Sequence, residues 1–333
     1  MGVASPEQDN TTEEAQKRYH GWLTEGWHGS MSWMKRHEPL KYDPQALDPT
    51  VQAVLIVALP YAQDFPATQP LQKEGRIARY AWGRDYHKVF LKKLQAVARS
   101  LSQQFPEEHF RAFTDTSPLD ERFWAEKAGL SFTGRNRLAI TDRWGSWFFL
   151  GEILSSRYFA PTHRPQVAHH QCPSSCRRCW HVCPTRALSD KGLDARLCIA
   201  YLTIEFKGSI PPDLRPLIGD KVFGCDLCQE VCPFNLQVPQ TTEKEFLNWK
   251  AGPWLDLASI LRISTEEDFT RQWGGSPLHR AGFSGLRRNA CLVAGNLNRN
   301  DLLPLLKALT VDPDPIVAEA AEWAVDLLEC PNE

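Results

Sequence analysis

Two groups of closely spaced cysteines constrain this chain more than any other feature of its sequence. Eight of its ten cysteines lie in the groups Cys172, Cys176, Cys179, Cys183 and Cys198, Cys225, Cys228, Cys232. The last three cysteines of each group follow the spacing Cys-x2-Cys-x3-Cys-Pro, which is found in bacterial ferredoxins with two clusters. The pattern therefore predicts two 4Fe–4S clusters, and it indicates a protein that transfers electrons.

In that pattern, the cysteine before the proline binds the cluster of the other group. The first cluster is accordingly expected to bind Cys172, Cys176, Cys179 and Cys232. The second cluster is expected to bind Cys198, Cys225, Cys228 and Cys183. Two gaps depart from the pattern, because three residues instead of two follow Cys172 and a long insertion follows Cys198. The insertion after Cys198 can form a loop without changing the ligands. The wider gap after Cys172 makes Cys172 the ligand whose binding to the cluster most needs to be tested.

Two other uses of these cysteines are open. Structural zinc also uses Cys-x2-Cys pairs, but it does not require a third cysteine followed by proline in each group. A disulfide framework is typical of small secreted chains, whereas this chain has 333 residues and begins without an apolar signal segment. The two remaining cysteines, Cys291 and Cys330, lie in a helical region and are expected to be ordinary thiols.

Length and composition limit the remaining possibilities. A chain of 333 residues is expected to form two or three domains. The formal net charge of −2 gives no overall bias toward polyanions, although local basic patches can still bind nucleic acid. No run of about 18 apolar residues is present, so no membrane span is expected. We expect a cytoplasmic protein, because a signal segment is missing and oxygen-sensitive metal sites suit that compartment.

The sequence pattern divides the chain into three expected domains, residues 1–160, 161–250 and 251–333. In the first domain, residues 51–59 (VQAVLIVAL) and 147–154 are apolar runs typical of buried strands. Residues 89–105 carry apolar side chains at helical spacing. The second domain holds the eight cluster cysteines. The first domain is therefore predicted to mix helices with strands.

The third expected domain is helical. Residues 286–297, 301–309 and 315–328 are amphipathic, and a turn with the sequence Asp-Pro-Asp-Pro precedes the last of these segments. An Asp-Pro turn followed by small apolar residues resembles a HEAT-type helical repeat. With about two such repeats, this domain would form a short helical cap.

Polar and aromatic residues of the first domain are concentrated in residues 76–87, 115–129 and 136–152, and five distinctive motifs lie in or next to these stretches and in the cysteine groups. No Gly-x-Gly-x-x-Gly follows a strand and no Walker sequence is present, so a dinucleotide or P-loop site is not supported. The motifs are YAWGRDYHK (80–88), DTSPLDER (115–122), GSWFFLGEI (145–153), CIAYLTIE (198–205) and GCDLCQEVCPFN (224–235). Together they resemble the epoxyqueuosine reductase family, and the resemblance extends from about residue 15 to the end of the chain.

This resemblance implies a multidomain α+β fold and a reaction. A nitroreductase-like α/β domain would hold cobalamin, a ferredoxin-like domain would hold two 4Fe–4S clusters, and HEAT-like α-helical repeats would follow. The protein would reduce the epoxide of epoxyqueuosine, at the wobble position of tRNA, to the alkene of queuosine. Electrons from a low-potential donor would pass through the clusters and reduce Co(II) to Co(I), which attacks the epoxide.

The resemblance also implies site residues. Asp115 would be the acid that protonates the opening epoxide oxygen. The cobalamin would lie against Tyr86, His87, Asp115, Ala139, Leu150, Ala200, Cys225 and Asp226. The tRNA would contact Lys207, Gly208, Ser209 and Arg215, with further phosphate candidates at Arg177, Arg178, Arg186, Arg287 and Arg288. Without the resemblance, Asp115 reads as a turn or N-cap residue, the apolar positions as core and the arginines as surface charges.

His87 lies in a segment that partly matches a known cobalt-binding signature. Asp85-Tyr86-His87 begins like the cobalamin-binding signature Asp-x-His-x-x-Gly, whose histidine binds cobalt. Phe90 occupies the glycine position, so the signature is incomplete. We therefore predict that His87 does not bind cobalt and that Tyr86 and His87 line the pocket, with a purely structural pair as the alternative. An unligated lower face would favour four-coordinate Co(I).

Three other functions are compatible with parts of the sequence. A corrinoid reductive dehalogenase would share the cofactors, but it would explain neither the HEAT-like helices nor the CIAYLTIE motif. A ferredoxin-type electron carrier would bind clusters but no corrinoid. A HEAT-type binding module with structural clusters would bind tRNA without turnover. For the favoured reading, we expect a monomer that does not associate with a membrane.

Overall fold

The computed structural model describes residues 1–66, 74–115, 117–162 and 171–330. Thr116, inside the DTSPLDER motif, lies outside the described residues. The strands are β1 Gly2–Ala4, β2 Ala53–Pro60, β3 Gly75–Ile77, β4 Phe110–Phe113, β5 Phe132–Thr133, β6 Ala139–Ile140, β7 Phe148–Ser155, β8 Lys221–Phe223 and β9 Trp254–Leu255. The helices are α1 Asn10–Thr24, α2 Ser32–Arg36, α3 Tyr86–Gln104, α4 Glu121–Lys127, α5 Arg178–Val182, α6 Ile199–Ile204, α7 Arg215–Ile218, α8 Leu227–Glu230, α9 Lys244–Leu247, α10 Leu257–Leu261, α11 Glu266–Trp273, α12 Gly282–Asn296, α13 Leu303–Leu309 and α14 Pro315–Glu329.

The largest sheet has the strand order β1-β2-β7-β4, and its pairs are antiparallel. Strands β2 and β7 pair over eight residues, from Ala53 opposite Ser155 to Pro60 opposite Phe148. All of β7 is buried, because helices cover both faces of the sheet. The two apolar runs predicted as buried strands are thus confirmed as β2 and β7.

Alternate residues of β7 face different helices, as the pleat of a strand requires. Phe149 and Ile153 pack with Phe90 and Leu94 of α3 on one face. Leu150 and Leu154 lie on the other face, with α4. The predicted helix 89–105 is confirmed as α3, which begins a few residues earlier because the Asp85 side chain caps its first turn. This cap brings the Asp85-Tyr86-His87 segment to the edge of the sheet.

A smaller sheet connects distant parts of the chain. Its order is β8-β3-β9, with β3 parallel to β8 and antiparallel to β9. These three strands come from the three ranges that were expected to form separate domains. The cysteine-containing segment between them forms only short helices, and α6 follows Cys198 directly. The sheet therefore holds this segment against both neighbouring ranges.

From α10 onward the C-terminal part is helical, with α12, α13 and α14 covering the three amphipathic segments. The expectation of an entirely helical third range is wrong at β9, because the backbone of Trp254 and Leu255 pairs with β3. Helices α12 and α14 pack closely at Gly295, where an added Cβ would lie 3.1 Å from Trp323 and 3.3 Å from Ala324. Side chains of α12 also share one core with α6 and β8, so this part is not a detached cap. Within the described ranges, we find no helix with both the length and the apolar character needed to cross a membrane.

Candidate active site and cluster-binding cysteines

A cavity of about 580 Å³ opens where β7, α3 and α4 meet. Four of the predicted site residues line it, namely Tyr86, Asp115, Ala139 and Leu150. Glu121 at the start of α4 and Gln229 of α8 also line it, although the sequence did not single them out. Because Gln229 lies between Cys228 and Cys232 in the sequence, the cavity borders the cysteine-containing segment.

Asp115 is held at this cavity by groups from two helices. It follows β4 with a φ of 53°, in the left-handed region that non-glycine residues rarely adopt. Its N–H donates to Glu121 Oε1 at 2.5 Å, and its Oδ2 accepts from the Tyr86 hydroxyl at 2.7 Å. The same oxygen lies 2.7 Å from His87 Nε2. The Asp115 side chain is 54 % exposed and thus accessible from the cavity.

His87 bridges two carboxylates. Its Nδ1 lies 2.8 Å from Asp85 Oδ1, while its Nε2 contacts Asp115. Burial by itself would lower the pKa of His87, but the hydrogen bonds with Asp115 and Asp85 raise it to about 9. Burial would raise the pKa of Asp115, but the hydrogen bonds from His87 and Tyr86 outweigh it and lower the pKa. At neutral pH, the proton shared by this pair therefore resides on His87.

The walls of the cavity fit a flat and largely apolar group. Tyr86 stacks on Phe149 with ring centroids 4.0 Å apart and an interplanar angle of 4°. Leu150 and Ala139 extend this apolar surface, whereas the polar groups Asp115 and Tyr86 OH are held together by their own hydrogen bond. Such a combination of apolar walls with few convergent polar groups is typical of a cofactor site.

The other residues predicted to contact cobalamin lie elsewhere around this region. Asp226 accepts a hydrogen bond from the Arg79 N–H at 2.6 Å, and Gln229 Nε2 donates to it at 3.2 Å. Cys225 and Asp226 line a smaller cavity of about 190 Å³, and Ala200 lies on α6. Asp226 is thus connected to the larger cavity through Gln229.

A second cavity, of about 700 Å³, is lined by Ser30, Trp33, Glu205, Phe206, Lys207, Gly208 and Arg280. Arg280 donates to both oxygens of Glu205, at 2.9 Å from Nε and 2.8 Å from Nη2. The charge of Arg280 also lowers the pKa of Asp115, so this arginine lies within electrostatic range of the first cavity. Arg280 belongs to no motif, so the sequence offered no signal for it.

The residues predicted to contact tRNA divide into two pairs. Lys207 and Gly208 line the second cavity, and Lys207 Nζ donates to the carbonyls of Ile204, Arg280 and Ala281 at 2.9, 2.6 and 2.9 Å. Ser209 and Arg215 both bind the carboxylate of Glu319. The Arg215 side chain is buried and also donates to the Ile210 carbonyl, so little of its guanidinium remains for a phosphate.

The expectation that Arg287 and Arg288 contact phosphate is wrong, because both are internal. They are only 5 % and 1 % exposed. Arg287 forms an ion pair with Asp312, and Arg288 donates to backbone carbonyls near the end of α6. Arg178 and Arg186 are exposed, whereas the guanidinium of Arg177 packs over the Trp180 ring.

The cysteines expected to bind the first cluster surround one cavity of about 340 Å³, which is lined by Cys172, Cys176, Cys179 and Cys232. Burial, followed by the neighbouring Cys172 and Cys176, raises the pKa of Cys179 to about 11. Asn136 lines the same cavity, and its buried Nδ2 has no partner within the described part of the chain. An amide donor facing four thiols suits a cluster whose sulfurs accept hydrogen bonds.

Arg135 accommodates the wider gap after Cys172. Its N–H donates to Cys172 Sγ at 3.4 Å. Its guanidinium donates to the carbonyls of Pro173, Ser174 and Cys176 at 2.5, 3.2 and 3.2 Å. These contacts hold the longer loop so that Cys172 reaches the cavity. The sequence did not indicate this role, because Arg135 lies 37 residues before Cys172.

The cysteines expected to bind the second cluster also lie near one another. Burial and the neighbouring Cys198 and Cys225 raise the pKa of Cys228, and Cys183 contributes to the raised pKa of Cys198. Cys179, from the first cysteine group, also contributes to the raised pKa of Cys228, so the two cysteine groups are adjacent. Among the described residues, no three His, Cys, Asp or Glu side chains converge as ligands of a single ion. A cubane is larger than one ion and separates its thiolates.

Comparisons with known proteins agree with this arrangement. Residues 41–116 match the family described as "Epoxyqueuosine reductase QueG, DUF1730", and residues 171–235 match the "4Fe-4S double cluster binding domain". The chain is 38% identical to an epoxyqueuosine reductase of Xanthomonas campestris pv. campestris over 320 residues, covering 94% of this chain and 88% of that protein. It is 36% identical to the Escherichia coli (strain K12) enzyme over 321 residues, covering 95% and 83%.

A solved structure has the same fold. It is a crystal structure of epoxyqueuosine reductase with a tRNA-Tyr epoxyqueuosine-modified stem loop, and it superposes with a TM-score of 0.86 at 26% identity. The superposition covers 98% of this chain and 85% of that one. The α/β architecture and the double-cluster segment are therefore shared with it. From sequence identity, coverage and fold together, this chain belongs to the epoxyqueuosine reductase family.

Proposed function

We propose that this protein reduces the epoxide of epoxyqueuosine in tRNA to the alkene of queuosine. The observation that carries the proposal is Asp115, held by Tyr86 and His87 at a cavity that borders two groups of four cysteines, in a member of this family. The reaction consumes two electrons and two protons, breaks both C–O bonds of the epoxide and releases water. The site must therefore supply protons on one side and electrons on the other.

The protein groups on the proton side are Asp115, His87 and Tyr86. As the first C–O bond breaks, His87 passes its proton to Asp115, and Asp115 protonates the developing alkoxide. Asp85 orients the His87 ring from its opposite nitrogen. Burial, and then the Asp115 charge, raises the pKa of Tyr86, so its hydroxyl remains a hydrogen-bond donor. These residues act together as one acid.

Cobalamin is the cofactor that we propose for the 580 Å³ cavity that Asp115 lines. It would supply a low-potential cobalt centre from which the substrate is reduced. Tyr86, Ala139 and Leu150 would form its walls, with Ala200, Cys225 and Asp226 on the side of the second cysteine group. His87 has both ring nitrogens in hydrogen bonds with carboxylates, which supports a site without a histidine ligand to cobalt.

The two cysteine groups would hold two 4Fe–4S clusters, with Cys172, Cys176, Cys179 and Cys232 around one and Cys183, Cys198, Cys225 and Cys228 around the other. The second group lies nearer the cavity of Asp115, because Cys225 and Cys228 flank Asp226, which accepts a hydrogen bond from Gln229 at that cavity. We therefore propose that a low-potential donor delivers electrons to the first cluster, and that they pass through the second to the cofactor.

The second cavity is our candidate for the anticodon loop. Trp33 and Phe206 offer aromatic faces for unstacked bases, and Arg280 and Lys207 provide positive charge. Gly208 lies at the same cavity, while Ser209 and Arg215 would act through Glu319 by holding this segment in position. The related structure with a modified tRNA stem loop supports this choice of partner.

We propose a nitroreductase-like cobalamin domain at residues 1–160, a ferredoxin-like domain at 161–250 and HEAT-like helical repeats at 251–333. The α/β sheet, the cysteine-containing segment and the helices α10 to α14 support these three parts. We further propose a monomer in the cytoplasm, where a reducing environment keeps cluster thiols available.

The test is anaerobic turnover of tRNA that contains epoxyqueuosine, with a low-potential reductant and with or without added cobalamin. Mass spectrometry of the nucleosides should show loss of one oxygen atom only when cobalamin is present. Protein with full iron and bound corrinoid but no conversion would instead favour a dehalogenase-like enzyme. Protein that binds no corrinoid would be an electron carrier.

Asp115→Ala distinguishes an enzyme from a binding module. Loss of the proton donor should lower the rate by roughly 10²–10⁴-fold, because general acid catalysis contributes about that factor. Iron content should stay at the wild-type value, since no contact joins Asp115 to either cysteine group in the described part of the chain. Cobalamin content should also stay near it, because the apolar wall of Tyr86, Ala139 and Leu150 is unchanged. Unchanged turnover in this variant would contradict the role proposed for Asp115.

A further inference from the structure

Glu152 is an acidic residue in the interior of the largest sheet. It lies in the middle of β7, between Leu150 and Leu154, on the face that α4 covers. It is fully buried, and neither carboxylate oxygen has a hydrogen-bond partner within the described ranges. The Ser117 hydroxyl is the neutral polar group beside it. A buried carboxylate without partners is strongly unfavourable, whereas a protonated carboxyl is tolerated.

Glu121 connects this interior group with the catalytic cavity. It is the first residue of α4, it lines the cavity, and its Oε1 accepts the Asp115 N–H at 2.5 Å. Glu121 and Glu152 also lie close enough for each charge to oppose the other. Glu121 therefore lies at the cavity, and Glu152 lies on the buried face of β7 that the helix of Glu121 covers.

The charged groups that face this pair favour its protonated form. Burial, and then the charge of Asp120, raises the pKa of Glu152 to about 8, although Lys41 and the Ser117 hydroxyl oppose this shift. Burial likewise raises the pKa of Glu121, followed by the charges of Glu152 and Asp115. Lys41 does not neutralise the pair, because Asp120, the N-cap of α4, lies beside the same ammonium group. At neutral pH, the pair therefore retains protons.

The reaction needs a second proton that the Asp115–His87 acid does not hold. The first proton converts the alkoxide to a hydroxyl group, and a second must reach that oxygen as the other C–O bond breaks. We propose that Glu121 and Glu152 form a buried acid pair that supplies this second proton through Glu121. The inference rests on the proposed function, and it adds a proton source that the family resemblance did not assign.

Electrons, protons and atoms balance in the proposed reaction. Two electrons arrive through the clusters, the alkene forms between the two former epoxide carbons, and the oxygen leaves as water with one proton from each acid. Glu121 delivers its proton into the cavity that it lines, and the Glu152 carboxyl beside it keeps the pKa of Glu121 raised, so that Glu121 holds a proton to deliver. Glu152 is a positioning residue in this scheme, because it acts only through Glu121. Solvent at the cavity mouth restores both protons after product release.

An infrared titration tests the pair without turnover. Holoprotein should show a carboxylic acid C=O band that persists at pH 7 and disappears as the pH rises through about 8. Glu152→Gln should remove the part of that band that Glu152 contributes, while Glu107→Gln, at an exposed position, should leave the band unchanged. If wild-type protein shows no protonated carboxyl at pH 7, the proposal is overturned, and this result needs no folded variant.

Kinetics then test the role of the pair. Glu121→Gln should lower kcat by roughly 10²-fold with little change in KM, because a lost general acid acts in the transition state. Glu152→Gln should lower kcat by a smaller factor and move the alkaline limb of the pH–rate profile, and Glu152→Asp should restore part of the rate. Loss of the infrared band with an unchanged kcat would reject the proton-donating role. If wild-type protein does not convert the tRNA, the proposed function fails, whereas the infrared bands still decide separately whether the acid pair exists.

Discussion

The position and protonation state of the Asp115 carboxylate depend on side chains from separate parts of the chain. Tyr86 and His87 from the first turn of α3 bind its side chain, and Glu121 from α4 binds its N–H. The left-handed backbone at this position persists because these contacts determine it. The protonation state of Asp115 therefore depends on its neighbours, because the hydrogen bond with His87 lowers the pKa of Asp115 and places the proton on His87.

His87→Asn tests this sharing of the proton. The pKa of His87 is raised to about 9, so wild-type activity should fall as the pH rises above that value. The variant should lack the decline near pH 9, keep the one near pH 8 that the Glu121–Glu152 pair causes, and turn over roughly 10²-fold more slowly, because asparagine cannot supply the proton. His20→Asn is the control, since His20 pairs with Glu38 in an exposed location. A wild-type-like pH profile in His87→Asn would contradict the proton transfer.

The same substitution has a consequence for stability. Because the folded pKa of His87 lies above its ordinary value of 6.5, the protonated ring stabilises the folded protein below pH 6.5. This contribution declines as the pH rises through about 9. The difference in Tm between wild type and His87→Asn should therefore be largest near pH 6 and smallest above pH 9. A difference that increases with pH would contradict the assigned shift.

At the scale of elements, α12 connects the C-terminal helices with the cysteine-containing segment. Arg288, in its first half, donates to the carbonyls of Leu202, Phe206 and Gly208 at 2.7, 2.8 and 2.6 Å. These acceptors lie at the end of α6 and just beyond it, where carbonyls lack partners within the helix. Burial lowers the pKa of Arg288 to about 10, so it remains charged at neutral pH. Helix α6, which follows Cys198, is thereby held against α12.

Arg288→Met should lower the free energy of unfolding by about 3 kcal/mol, because several buried carbonyls lose a charged donor. Chemical denaturation of the holoprotein measures this change. Arg271→Met, at a side chain that is 69 % exposed, should change the same free energy by about 0.5 kcal/mol or less. Equal effects of the two substitutions would show that Arg288 does not hold α6.

At the scale of the whole molecule, the expected domains are interleaved. The small sheet takes one strand from each range, and the cavity of the first cysteine group combines Cys172 with Cys232, 60 positions later in the chain. The two cysteine groups lie next to each other, with Cys179 near Cys228. This arrangement suits electron transfer, because clusters that exchange a ligand are held close together.

Cys172→Ser tests whether the wider gap still yields a complete first site. The variant should lose one cluster, so its iron content should fall from about eight to about four atoms per chain, given four iron atoms per cluster. Anaerobic reconstitution followed by iron analysis measures this. Cys330→Ser should retain full iron, since Cys330 is exposed and distant in sequence from both groups. Full iron in Cys172→Ser would remove Cys172 from the ligand set.

The sequence alone determined those features that depend on local spacing. The cysteine motifs indicated two clusters, the apolar runs indicated β2 and β7, and apolar residues at helical spacing indicated α3 and the C-terminal helices. The family resemblance selected Asp115, Tyr86, Ala139 and Leu150, which line one cavity. Periodicity and spacing are visible in sequence because each is set by the geometry of a short stretch of backbone.

Only the tertiary structure decided which distant groups meet. In the sequence, Arg287 and Arg288 resemble surface charges, because charged side chains favour water, yet Asp312 and the carbonyls near α6 make them internal. Glu152 sits within an apolar strand motif, and its closeness to Glu121 depends on how α4 packs over β7. Arg135 and Arg280 gain their roles in the same way. Such contacts arise from packing between elements, which no local pattern encodes, and they decide the protonation states on which the chemistry depends.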